Sequence, residues 1–267
     1  MMINVGVRIG GLSKIGGLDA DAVAYFERAG VTDATAKSQI SAFVVGTKAL
    51  GLWNNIVSWP LRSAQNKGSG TTAYSLGGYG VYDATLNASP TWGTDGITFN
   101  GTNYLSLSNV IATSRVNKLA MGVGSITGYT ANRFFDVQDA GTNTRRNPFL
   151  YVGSFAAFDC GFNLPNSGVS SPEANLLSAN LPQNIFYSII GRTTSGSLFV
   201  YRDKVSKASL AGQTFNQGST YTFSRMGSEY TGTISFTALS GDEISEAQLI
   251  SLNDLYKTTL GTGLGLA

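Results

Sequence analysis

Histidine is absent from all 267 residues. Its absence removes Ser-His-Asp and Cys-His nucleophile systems, together with the commonest zinc ligand. There is one cysteine, Cys160, so an intrachain disulfide is excluded and synthesis in a reducing compartment is expected. Cys160 lies in the apolar run Phe155–Phe162 beside Asp159, where a structural thiol is the commoner fate than a nucleophile. Charge is scarce as well: 13% of residues are charged, against a usual share of roughly 25%. The net charge is +2, with no basic cluster beyond Arg145-Arg146, so no nucleic-acid partner is expected. No stretch approaches the ~18 apolar residues of a membrane span. The first residues, MMINVGVRIGGLSKIGG, also lack the continuous apolar core of a secretion signal. Neither membrane insertion nor an obvious export route is expected.

What the chain does have is glycine, 33 residues of it, with abundant Ser, Thr and Asn. That composition suits a many-turned β protein whose solubility comes from hydroxyls and amides. Residues 1–17 form a weakly apolar, glycine-rich segment carrying Ile3, Val5, Val7 and Ile9. Alone it buries little surface, so it is expected to be an arm that docks on a partner or lies on its own domain. Residues 18–60 read as a small helical unit. Asp19 or Asp21 can cap a helix over residues 19–29, and Gly30 supplies a left-handed stop. The two acids can also be read as a metal site, but negative charge at a helix N-terminus accounts for them. Thr32 can cap a second helix from Asp33 to Leu50, closed by Gly51, with Ile40, Phe43, Val44, Thr47 and Leu50 on one face. In the following LWNNIVSWP, Trp53 and Trp59 could stack on a sugar or fill the seam between helices and sheet.

From Thr72 to Leu107 short apolar runs alternate with turn clusters: Tyr82–Leu86, Thr91-Trp92, Ile97–Phe99 and Tyr104–Leu107, separated by Gly, Asn, Asp and Pro. Such spacing is that of tight antiparallel connections, and the alternation in the last two runs gives each a buried and a solvated face. Further strands are expected at Leu119–Val123, Phe134–Val137, Phe149–Val152, Phe155–Cys160, Phe186–Gly191, Leu198–Tyr201, Tyr221–Phe223 and Thr233–Ala238. Together they argue for an all-β sandwich over residues 61–267. Residues 163–183, with Pro165, Pro172 and Pro182, read as a long loop of the kind that contacts partners. The loop around Arg145-Arg146 reads as a solvated tip. Ser245 and Gln248 make a capping box, so a C-terminal helix is expected over 245–257.

The run YDATLNASPTWGTDGITFNGTNYLSL resembles the opening of laminin G-like, concanavalin A-like jelly-roll domains. The matching residues are Tyr82–Leu86, Pro90-Thr91-Trp92 and the hairpin Phe99–Leu105. Asn184–Ile190 with Leu198–Asp203 resembles the family's central hairpin. Tyr230–Ile234, Ile244–Leu249 and Leu255-Tyr256 resemble its closing strand and helix. The resemblance covers residues 72–258 and implies a mainly β concanavalin A-like sandwich, preceded by the helical unit and the arm. Calcium-binding members carry acids where this chain has Leu76, Asn100 and Asn103. Losing them weakens an oxygen-ligand calcium site, so no cofactor is expected and calcium is disfavoured. Glucanases of this fold use acids at alternate positions of one strand, which puts them on one face. No such triplet exists here. Asp136 with Asp139, and Asp242-Glu243 with Glu246, read as a strand end and a helix start, so no enzymatic activity is expected.

The surface chemistry left is aromatic and amide. Trp92, Tyr79, Tyr82 and Tyr104 fall in or near turns and are the candidate glycan-binding residues; Tyr74 and Tyr129 lie in similar places, and core packing is the competing fate of all of them. The arrangement of arm, helical unit, sandwich and Gly261–Gly265 tail resembles virion proteins of tailed bacteriophages. That resemblance implies a structural protein of the particle: a head fibre, capsid decoration or tail appendage. It would dock through Ile3, Val5, Val7 and Ile9 on other virion proteins, and a homo-oligomer is expected. The alternative reading is a lectin module for host-surface glycans.

Overall fold

The Asp19 carboxylate accepts a hydrogen bond from the Asp21 amide at 3.0 Å and starts helix α1 (Ala20–Ala29), which Gly30 ends at φ 67°. Helix α2 (Ala34–Ala49) begins one residue later than the sequence suggested. Asp33, not Thr32, is its cap, because the Asp33 carboxylate reaches the Ala36 amide at 2.7 Å. At the far end of the chain, helix α3 (Glu246–Thr258) starts on the reciprocal Ser245–Gln248 capping box. The protein is seen here in a computed structural model that describes residues 17–112, 118–128, 132–139, 145–152, 158–163, 173–177, 183–194, 197–211 and 221–267.

Between α2 and α3 the described residues are mostly strands. They run β1 (Ile56–Pro60), β2 (Thr72–Ala73), β3 (Ala84–Asn87), β4 (Thr91–Trp92), β5 (Ile97–Asn100) and β6 (Tyr104–Ala112). Next come β7 (Leu119–Ile126), β8 (Asn132–Asp139), β9 (Arg145–Val152), β10 (Phe158–Asn163) and β11 (Glu173–Leu177). The last are β12 (Tyr187–Thr194), β13 (Ser197–Arg202), β14 (Val205–Ala211), β15 (Tyr221–Met226) and β16 (Thr231–Ser240). They form two sheets whose described pairings are antiparallel. The first has the order β14-β13-β12-β7-β16-β5-β4, with β1 pairing on β16 next to β5. The second has the order β11-β10-β9-β8-β15-β6-β3-β2. The chain is a mainly β jelly-roll sandwich preceded by a small helical unit.

The central strands of the first sheet are buried on both faces. Along β7, Ala120 and Ile126 face the core between the sheets with Trp59, Phe99, Phe134 and Tyr230. Leu119, Met121 and Val123 face a second core, which they share with Phe43 of α2 and Leu252 and Tyr256 of α3. The helices therefore form a third layer on the outside of the first sheet. This explains why β7 is buried at every residue and lacks the polar alternation of a half-exposed strand. Two glycines on β7 make room for rings. A Cβ on Gly122 would overlap Phe134, and one on Gly124 would overlap the Tyr230 hydroxyl; these two rings lie 5.3 Å apart.

Several expectations need correcting. Ile56–Pro60, grouped by sequence with the helical unit, is a strand of the sandwich, because it pairs along β16 from Ser240 to Phe236. The loop expected over 163–183 contains β11, which pairs with β10 from Leu177 to Glu173. Arg145-Arg146 opens β9 rather than capping a loop, since Arg145 stands opposite Gln138 of β8. Strand β14, unread in the sequence, follows a tight turn at Asp203-Lys204, both with positive φ (47° and 70°). Ile3, Val5, Val7, Ile9 and Tyr129 lie outside the described residues, as does the Cys160 side chain.

Candidate functional site

The helices pack on the outside of the first sheet, and among the described residues the outer face of the second sheet reaches solvent along β3 and β6 and at Arg225. Alternation decides which side chains it presents. On β6, Leu105 and Leu107 point into the core while Tyr104 and Ser106 point out; on β3, Ala84 and Leu86 point in while Thr85 and Asn87 point out. Strand register then assembles a row. Asp136 of β8 stands opposite Arg225 of β15, Arg225 opposite Ser106 of β6, and Ser106 opposite Thr85 of β3.

The chemistry of this row centres on Tyr104 and Arg225. The Arg225 guanidinium carbon sits 4.5 Å from the centroid of the Tyr104 ring, a cation–π contact at a half-buried position. Among the described residues no hydrogen bond or ion pair engages the Arg225 guanidinium. Next to it, the Asn87 side-chain amide donates to the Ser106 hydroxyl at 2.7 Å. Asp136 is buried, accepts from the Ser228 hydroxyl, and lies 3.5 Å from an Arg133 nitrogen. A second Arg133 nitrogen is 3.0 Å from Glu229. One guanidinium thus fixes two carboxylates 93 positions apart in the sequence, a pairing that no local motif announces.

Of the four aromatics singled out by sequence, Tyr104 alone belongs to this face. Tyr79 and Tyr82 stack on each other, with centroids 5.7 Å apart at 15°, and pack against the inter-sheet core. Trp92 is half-buried against the same core, and its indole N–H donates to the Gly70 carbonyl at 3.1 Å. Among the described residues no ring contact joins Trp92 or Tyr104 to the Tyr79–Tyr82 pair, so the four make no single platform. Tyr74 is flanked by Arg28 at 5.5 Å and Lys67 at 5.9 Å. Trp59 is fully buried in the core. Arg225, Asn87 and Ser106 were not singled out from the sequence. The polar positions of the alternating run Tyr104–Leu107 mark Ser106, but nothing local marks Arg225.

Of the acids read from the sequence as structural, Asp139 has its side chain outside the described residues, and those at the start of α3 are placed as follows. Asp242 accepts from the Asn55 amide at 2.7 Å, Glu243 pairs with Lys118 at 2.9 Å, and Glu246 lies in the first turn of α3. In the hairpin Asn100–Asn103, the Asn103 side-chain oxygen accepts from the Asn100 amide at 3.0 Å. The Asn100 side-chain oxygen accepts from the Thr102 amide at 3.1 Å, and Leu76 is buried in the second core. Among the described residues no three Cys, Asp or Glu side chains gather as a metal site.

No family model and no curated protein matches the sequence. Solved structures do match the fold. Trypanosoma rangeli sialidase in complex with sialic acid superposes with a TM-score of 0.55 at 13% identity, over 85% of this chain and 39% of that one. The binding domain of botulinum neurotoxin serotype C1 does so with a TM-score of 0.53 at 13% identity, over 76% of this chain and 52% of that one. The CBM40 domain of Ruminococcus gnavus IT-sialidase gives 0.46 at 14% identity, over 60% of this chain and 96% of that one, too low to add to the comparison. The chain spans about two fifths of the sialidase and half of the neurotoxin domain. At such identities the likeness is one of fold.

Proposed function

We propose that this chain is a non-enzymatic, lectin-like module that binds glycans on the outer face of its second sheet, around Tyr104 and Arg225. The observation that carries the reading is Arg225. It is a half-buried guanidinium held over a tyrosine ring, with N–H donors that no described residue uses. A guanidinium so placed offers several directed donors to sugar hydroxyl or carboxylate oxygens. The Tyr104 edge and the Asn87–Ser106 pair supply the apolar and amide surface that a sugar ring needs. The sandwich also shares its fold with a sialidase solved with sialic acid.

The non-enzymatic part rests on the carboxylates. Most glycosidases, the glucanases of this fold among them, use two carboxyl groups that reach the scissile bond. Asp136 is buried beneath Ser228 and Arg133, Asp242 is held by Asn55, and Glu243 is paired with Lys118. No histidine can stand in for them.

The test is a glycan array of neutral and sialylated structures, followed by calorimetric titration of any ligand found. Arg225→Ala and Tyr104→Ala should each weaken binding by about tenfold, the loss expected for a charge-assisted hydrogen bond, with unchanged circular dichroism. A blank array with folded protein, or full affinity in Arg225→Ala, would sink the proposal.

A second reading, display of this module on a bacteriophage particle, is favoured by one geometric fact. The chain enters the fold at Leu18 in the helical layer, on the side of the first sheet away from the Arg225 face. An arm over residues 1–17 docked on a particle would therefore leave that face pointing outward. Deleting residues 1–17 should abolish incorporation into particles and leave the sandwich folded. Normal incorporation of the shortened chain would refute this reading.

A further inference from the structure

A cleft of 540 Å³ opens where the helical layer meets the sandwich, lined by Asp21, Lys48, Gly51, Trp53, Asn54 and Gly78. Each wall has a local cause. Asp21 stands in the first turn of α1 and Lys48 in the last turn of α2, so the two helix ends meet there. Gly51 turns the chain at φ 75°, and a single 3-10 turn (Trp53–Asn55) brings the indole and the Asn54 amide to the rim. The opposite wall is main chain. The Gly78 amide donates to the Trp53 carbonyl at 2.9 Å, and a Cβ on Gly78 would stand 2.9 Å from the indole nitrogen.

The electrostatics are fixed by Lys48. Its ammonium lies 2.7 Å from Asp19 and 2.6 Å from Asp21, and 5.4 Å from the centroid of the Trp53 ring. Two carboxylates about one ammonium leave the cleft with one excess negative charge, which opposes an anion. Half of the Asp21 side chain remains exposed (51%), so its carboxylate can still accept from a ligand. Among the described residues neither the indole N–H of Trp53 nor the side-chain amide of Asn54 makes a hydrogen bond.

We propose that this cleft binds one unit of a neutral saccharide. A pyranose has an apolar C–H face and an equatorial rim of hydroxyls, and the cleft offers the complement. The half-buried indole takes the C–H face. Asp21 accepts from one hydroxyl, and the Lys48 ammonium donates to its neighbour, so the ion pair meets two adjacent hydroxyls with opposite polarity. The Trp53 N–H and the Asn54 amide supply further donors and an acceptor. The negative balance rejects sialylated or otherwise acidic sugars, which sets this subsite apart from the Arg225 face. The cleft is built largely from the helical unit, so it does not depend on the second sheet being a binding surface.

The test uses the full chain with maltotriose, cellotriose, lactose and chitotriose, and with sialyllactose as the anionic comparison. Binding is read from the indole N–H resonance of Trp53 and by calorimetry. A neutral saccharide should shift that resonance, and its affinity should fall about tenfold or more in Trp53→Ala and in Asp21→Asn, but not in Arg225→Ala. Asp21→Asn changes an exposed side chain and guards against Trp53→Ala failing to fold. The proposal is overturned if no neutral saccharide moves the resonance, if binding survives both cleft variants, or if sialyllactose binds there more tightly than the neutral sugars. Binding lost in Arg225→Ala alone would overturn the cleft and keep the lectin face. Binding lost in the cleft variants alone would support the cleft, and the Arg225 face would stand or fall on its own glycan-array test.

Discussion

The indole N–H of Trp59 donates to the main-chain carbonyl of Tyr82 at 2.8 Å, joining a fully buried strand residue of β1 to the stacked Tyr79–Tyr82 pair. From the sequence both residues were candidates for touching sugar. In the fold the tryptophan is the anchor and the tyrosine main chain is what it holds. Trp59→Phe should cost about 1–3 kcal/mol, because the Tyr82 carbonyl loses its donor. Trp59→Ala should cost about 3–5 kcal/mol through the cavity it leaves. Urea unfolding midpoints check both values, and a cost within error of zero for Trp59→Phe would show that water replaces the bond.

Gly122 and Gly124 give a second stability prediction. Gly122→Ala should destabilise by about 1–3 kcal/mol, because the new methyl meets the face of a buried ring rather than a flexible chain end. Phe134→Leu in the same chain should recover part of that loss. The double-mutant cycle measures the coupling, and strict additivity would mean that the two residues do not compete for the same space.

How much of this was legible beforehand depended on whether the signal was local. The runs Ile97–Phe99 and Tyr104–Leu107 carry their own alternation, and β5 and β6 sit on them. Gly30 and the Ser245–Gln248 box mark helix ends by chemistry confined to a few residues. Strand β14 was missed because its turn uses Asp203-Lys204 at positive φ, where Asn-Gly or Asp-Gly would have been the signal. Here the Asp203 carboxylate holds the turn instead, by accepting from the Ser188 amide at 3.0 Å. Strand β11 was hidden between prolines in a polar stretch. At the candidate site Tyr104 was readable, whereas Arg225 and the Arg133–Asp136–Glu229 cluster are products of register between strands distant in sequence.

Three buried tyrosines predict alkaline behaviour. Burial pushes the hydroxyls of Tyr25, Tyr230 and Tyr256 above the usual tyrosine value. Each is bonded in the neutral form or shares a proton: Tyr25 donates to the Gln65 carbonyl at 2.9 Å, Tyr230 to the Ser125 carbonyl at 3.3 Å, and Tyr256 pairs with the Ser235 hydroxyl at 3.1 Å. The unfolded chain releases these protons near pH ~10 while the folded chain keeps them. Their contribution is therefore complete below that pH and is lost as pH rises through the folded values. Tyrosinate absorbance should show a late group that ionises only together with unfolding. Smooth titration of all tyrosines in the native state would contradict this.

At the other end of the pH scale stands Asp19. Burial works against its ionisation, but the Lys48 hydrogen bond and charge and the Asp21 amide outweigh it and hold the carboxyl below the usual value. Its stabilisation is thus present above the ordinary carboxylate range and lost as pH falls through the depressed value. Asp19→Ala should cost about 1 kcal/mol at neutral pH, chiefly as a lost helix cap, and the difference from the parent should shrink in acid. Thermal melts of both proteins across that range decide it.

The double burial of the first sheet's central strands also governs how this module could be moved or attached. Stripping away the helices would lay bare Leu119, Met121, Val123, Ile190 and Phe236 as one greasy wall, so a trimmed sandwich should clump rather than stand alone. Any transplant must carry residues 18–267 together. A fusion partner joined ahead of Leu18 would grip a stiff mount instead of a swinging tether, and the direction of the Arg225 face would be set by that joint.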